Sequence, residues 1–198
     1  MTAATAPDRA PRATLPGDSG VWFFIVAYMC GFAVFFLVFS AGRAADPALY
    51  EASRQLLDLR FGLANTLILL TSGAFMAAAA RTAQRGDWQR TRTQLIVTMI
   101  TGLPFGLSKA LEWSAKMAHG VTLTTNEFFT YYFIFTGVHF LHFAIGIAVL
   151  IVLMRTATDT AKPAEARLRW IEAGGAYWHM VDLLWIVLFA MLYLLRTA

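Results

Sequence analysis

Apolar residues along this chain fall into five long runs, at about 20–41, 61–80, 93–113, 128–154 and 173–195. Each is close to the roughly 20 residues that an α-helix needs to cross a bilayer. Helix is the form such runs take, because an open strand would leave backbone groups unpaired in lipid. The alternation of a membrane barrel strand is also absent. The pattern predicts an all-α integral membrane protein, a bundle of five transmembrane helices over residues 20–198. The first 19 residues are rich in Ala, Pro, Thr and Gly and read as a disordered tail. They do not read as a signal peptide: the apolar run that follows is too long, and no small-residue cleavage site closes it.

Composition sharpens this picture. The chain is 58% apolar and 14% charged, against roughly 25% charged residues in a soluble domain. Cys30, the single cysteine, lies within the first run, so a disulfide framework or a cysteine metal cluster is excluded. The net charge of +4 invites a nucleic-acid partner. The basic residues sit between the apolar runs, however, so topology explains them and no nucleic-acid partner is expected. The tail and the second and fourth loops share one side of the membrane. They hold Arg9, Arg12, Arg81, Arg85, Arg90, Arg92, Arg155, Lys162, Arg167 and Arg169. The other side holds Arg43, Arg54, Arg60, Lys116 and Arg196. The positive-inside rule then predicts a cytoplasmic N-terminus. No internal repeat is visible, which disfavours a transporter built from two inverted halves.

Polar residues inside the runs are costly and need partners. In the third run, Lys109 and Glu112 are three residues apart, which puts them on one helix face as an ion pair. Both lie near the outer end, where Lys109 is also able to snorkel. Pro104 and Gly106 are expected to bend this helix. In the fourth run, His139 and His142 share a stripe with Thr136, Phe143 and Gly146. The fifth carries His179 and Asp182 three apart, with Glu172 two turns earlier. Paired imidazoles suit a metal or a bis-histidine haem. Equally, these side chains suit hydrogen bonds between helices. Glu-x-x-His is absent, so the di-iron bundle pattern is not met. No serine or cysteine stands with a base as a nucleophile. Gly174, Gly175 and Ala176 permit close approach of a helix or a lipid chain. Trp22, Trp113, Trp170, Tyr131, Tyr132 and Tyr193 lie near span ends, as an interfacial belt does.

Four segments, in order, resemble one known family. EAGGAYWHMVDLLWIVLFAMLYLL, which contains Glu172, Trp178, His179 and Asp182, is similar to the last helix of subunit III of the haem–copper oxidases. FTGVHFLHFAIG resembles the helix before it, and ANTLILLTSG and GLPFGLSKALEW resemble two earlier helices. The resemblance runs from about Trp22 to the end of the chain. Two departures stand out: many members have two further N-terminal helices, and Tyr28 occupies a position where oxidase subunits carry an acid. That puts a proton-uptake role for this helix in doubt. Lys109 and TTNEFFTYYFIFTGVH look most like an accessory branch associated with nitric oxide reductase.

The resemblance implies an accessory subunit of a haem–copper oxidase or a nitric oxide reductase, in the bacterial cytoplasmic membrane. Its partners would be the catalytic subunits, which hold the haem and copper, and membrane lipids. It would have no cofactor of its own apart from bound phospholipid, and no independent catalysis. His139, His142, Glu172, Trp178, His179 and Asp182 would be lipid-binding or structural polar residues. Two competing readings are a haem-binding redox protein using His139, His142 or His179, and a small transporter using Lys109 and Glu112.

Overall fold

The computed structural model describes residues 19–195, and every element among them is helical. The expected tail over 1–19 lies outside the described residues except for Ser19, as does Arg196. Helices α1 (Ser19–Ala45), α3 (Leu59–Gln84), α4 (Trp88–Ala118), α5 (Glu127–Thr158) and α6 (Ala164–Phe189) are long and apolar enough to cross a membrane. A short helix α2 (Pro47–Gln55) follows α1. The helices extend beyond the apolar runs, most clearly in α6. Its first turns, AEARLRW, were expected to be loop. Arg167 is buried there, its guanidinium 3.8 Å from the centre of the Trp88 ring and bonded to the Ala157 carbonyl. That contact sews the α5–α6 turn to the start of α4 with a charge that hydropathy assigns to water.

Helix α2 is short and polar on average, so nothing in an apolar-run reading marks it. Its start is local chemistry: the Asp46 side chain accepts from Leu49 N at 3.0 Å, and Pro47 opens the helix. It lies across the end of the bundle that holds the α4–α5 loop and the end of α6. Tyr50 packs on Phe39 and Phe128, and Ser53 accepts from Asn126 Nδ2 at 2.9 Å. Burial, then the neighbouring Glu127 charge, push the Tyr50 hydroxyl pKa up. Arg54 pairs with Glu51 and donates to the Tyr193 carbonyl at 3.3 Å.

Helices α3 to α6 form the core, each packed on two of the others. Ser72 donates to the Thr98 carbonyl at 2.7 Å, joining α3 to α4. Helix α4 continues through Pro104 without interruption. Trp178 lies against Gly102 of α4 and Gly146 of α5, where an added Cβ would come within 3.0 Å of its ring. Gly86 and Gly120 turn the chain between helices at φ +75° and +77°, backbone that larger residues rarely adopt. Helix α1 stands at the edge, held by Tyr28, Phe36 and Phe39 against α2 and α5. Most of its remaining surface is exposed.

Candidate functional site

The densest polar cluster lies where α4, α5 and α6 meet, in the halves nearer α2. Lys109 Nζ donates to Glu112 Oε2 at 2.8 Å and to the Tyr193 hydroxyl at 3.2 Å. It also sits 4.8 Å from the Trp185 ring centre, in cation–π range. Glu112 Oε1 accepts from Tyr132 at 2.8 Å and from Tyr193 at 2.7 Å. Trp185 in turn donates to Thr66 of α3 at 3.1 Å. Lys109 is 0% exposed and Glu112 5%, so Lys109 does not snorkel. Its three donors find better partners inside the bundle than at the interface. A crevice of about 290 Å³, lined by Leu56, Lys116 and His119 among others, opens from the outer end and reaches Glu112.

Tyr132 and Tyr193 correct the interfacial-belt expectation, because both hydroxyls turn inward onto Glu112. Trp113 also turns in, donating to Thr136 at 3.2 Å, whereas Trp170 is exposed as expected. Tyr132 had a signal in the sequence. It lies one turn before Thr136 and two before His139 on the same stripe. Tyr193 had none, being 84 residues from Lys109. It enters through a π-helical turn, Ala190–Leu194, that ends α6 and is closed by Leu195 N donating to Ala190 O at 3.0 Å.

The histidines go to separate places. His139 is fully buried, and its Nε2 donates to the Val181 carbonyl at 3.1 Å. His142 Nδ1 lies 2.7 Å from both the Tyr28 hydroxyl and the Val138 carbonyl. Tyr28, the residue that departs from the resembled pattern, therefore anchors α1 on α5. His179 faces the α3 side, with Nδ1 3.6 Å from Asp182 Oδ2. Glu172 does not join them; its Oε1 accepts from Gln84 of α3 at 3.1 Å. Trp178 fills the bundle centre. Among the described residues, no three His, Cys, Asp or Glu side chains converge as metal ligands would. His139 and His142 are turned to different helices, α6 and α1.

Grooves flank α1 on both sides of α6. One of about 450 Å³ runs between α1, α5 and α6 and is lined by Phe24, Val149, Trp170 and Gly174. The other, of about 440 Å³, runs between α1, α3 and α6 and includes Gln84, Glu172 and His179. Both are apolar along most of their length, with tyrosine, histidine or carboxylate groups at few points. That is the lining an acyl chain fits.

The family model for cytochrome c oxidase subunit III matches residues 16–197. A probable cytochrome c oxidase subunit 3 of Mycobacterium tuberculosis is 31% identical over 166 residues, covering 83% of this chain and 81% of the relative. A cytochrome c oxidase subunit 3 of Corynebacterium diphtheriae is 28% identical over 196 residues, 96% of this chain and 95% of the relative. A heme-copper oxidase subunit I+III of Aeropyrum pernix is 27% identical over 183 residues, 89% of this chain and 22% of that longer relative.

Proposed function

Because this chain belongs to the cytochrome c oxidase subunit III family, we propose that it serves as an accessory membrane subunit of a haem–copper oxidase. It is a multi-pass protein of the bacterial cytoplasmic membrane. Its partners are the catalytic subunits of that complex. The observation that carries this reading is a family match over nearly the whole chain.

In this reading the haem and copper belong to the partner subunits, and the chain contributes packing, lipid and a surface. Two features support an absence of its own redox centre: His139 and His142 are spent on helix contacts, and the polar cluster at Lys109 is a closed set of hydrogen bonds. Phospholipid is the expected occupant of the groove between α1, α5 and α6, supported by its apolar lining. A role in stability, lipid retention or proton supply follows. Glu112 is the acid best placed for the last, because the outer crevice reaches it. A nitric oxide reductase core is the second reading for the partner, favoured by Lys109 and by the segment 124–139.

Purification of the tagged chain from its native membranes tests this. The expected result is a stoichiometric haem–copper catalytic subunit in the eluate, identified by mass spectrometry as an oxidase or a nitric oxide reductase. The chain stripped of partners should show no Soret band. A full equivalent of haem on the isolated chain would sink the accessory reading and return His139, His142 and His179 as ligands.

A further inference from the structure

His179 lies six residues inside the apolar run 173–195, and its side chain is 48% exposed. A half-exposed imidazole within such a run is unfavourable unless something polar covers it. Beside it, Asp182 is 6% exposed, and its Oδ1 has no hydrogen-bond partner among the described residues. Both residues line a second hollow of about 350 Å³ on the α3–α6 face, which joins the groove at α1 through His179 and Leu183. Small residues flank this seam: Ala74 and Ala77 on α3, Gly175 and Ala176 on α6. Trp22 and Ile25 of α1 cover only the end of the seam near Gln84.

We propose that this α3–α6 seam seats a transmembrane helix of the catalytic subunit, one that brings an uncharged hydrogen-bonding side chain to His179 and Asp182. The proposal rests on the accessory-subunit reading above. Depth argues for protein over lipid. Six helical residues put His179 about 9 Å inside the polar end of its run, where acyl chains offer no donor or acceptor. The small residues let a helix backbone come close enough for a short side chain to reach the pair. A hydroxyl or amide completes the pair without adding a charge to the seam. The Aeropyrum pernix relative is named as subunit I and subunit III in one chain, so the two are tied together there.

The test uses the whole complex in native membranes. A benzophenone amino acid is placed at Ala74, which is exposed in the seam, and as a control at Leu37, which is 70% exposed on α1. Light should join position 74, and not position 37, to the catalytic subunit. Ala74→Phe, which points outward and leaves the chain's own packing alone, should lower co-purification of that subunit by about tenfold. Leu37→Phe should leave it unchanged, with equal amounts of folded chain in both membranes. Adducts at position 74 with lipid only, or with a second copy of this chain, would overturn the proposal. So would Ala74→Phe retaining its partner. If the unaltered chain still carries a catalytic subunit in those cases, the accessory reading stands and only the docking face falls. If the unaltered chain carries none, both fall.

Discussion

Lys109 and Glu112 sit among five side chains that satisfy one another, and their energetics follow from that closure. Breaking a buried pair strands a charge and costs about 3–5 kcal/mol, whereas replacing both partners is often tolerated. Lys109→Met combined with Glu112→Gln should therefore unfold at a higher temperature than the more damaging single variant in the same detergent. Additive single effects in the double variant would show that the pair is uncoupled. Tyr193→Phe removes one of the two hydroxyls on Glu112 Oε1. The expected loss is about 0.6–1.7 kcal/mol, the range for hydrogen bonds between membrane helices. At Asp182 the contrast is between shape and charge. Asp182→Asn keeps the volume and a polar group beside His179, and should give more folded protein than Asp182→Ala. Equal, normal folding of both, with turnover of the complex abolished, would mean that the negative charge itself is functional.

At the scale of elements, the close contacts between helices set which substitutions the bundle accepts. A Cβ at Gly73 would run into the Asp182 carboxylate, so Gly73→Ala displaces that buried group from its place beside His179 and should cost about 1–3 kcal/mol. Gly31, on the exposed face of α1, has no atom within 4 Å of the same position. Gly31→Ala should leave the melting temperature unchanged or raise it, by up to about 1 kcal/mol, through helix propensity. A loss at Gly31 as large as that at Gly73 would mean that the exposed face of α1 is occupied tightly in the assembled protein. The five spanning helices were legible as apolar runs because lipid demands length and hydropathy. Helix α2 was not, since its stability comes from a cap and from packing on Phe128 and Asn126. The early start of α6 escaped for a related reason. Arg167 reads as loop charge until Trp88 and the Ala157 carbonyl are brought beside it.

For the whole molecule, the connections alternate between two ends. The α2 region, the α4–α5 loop and the end of α6 share one end, joined by Asn126 with Ser53 and by Arg54 with the Tyr193 carbonyl. The ten basic residues outside the apolar runs on the opposite side, against five on this one, predict that the α2 end faces outward. A periplasmic reporter fused after Ala198 should be active; activity of a cytoplasmic reporter at that point would reverse the topology. The crevice to Glu112 would then open to the outside, and the Gln84–Glu172 contact would lie near the cytoplasm.

Much of this protein was determined by its sequence alone. Hydropathy over windows of 20 residues yields spans because burial in lipid is a property of each segment. Spacing of three residues yields the Lys109–Glu112 and His179–Asp182 pairs because one helix turn holds both members. Four motifs in order yield the family. Only the tertiary structure decided which partners lie far along the chain. Tyr193 reaches Lys109 across 84 residues, and Tyr28 reaches His142 across 114. It also decided that His139, His142 and His179 face different neighbours although they share two adjacent helices. Helix rotation and packing set those directions, and a local pattern of apolar and polar positions carries no information about the phase of one helix against another.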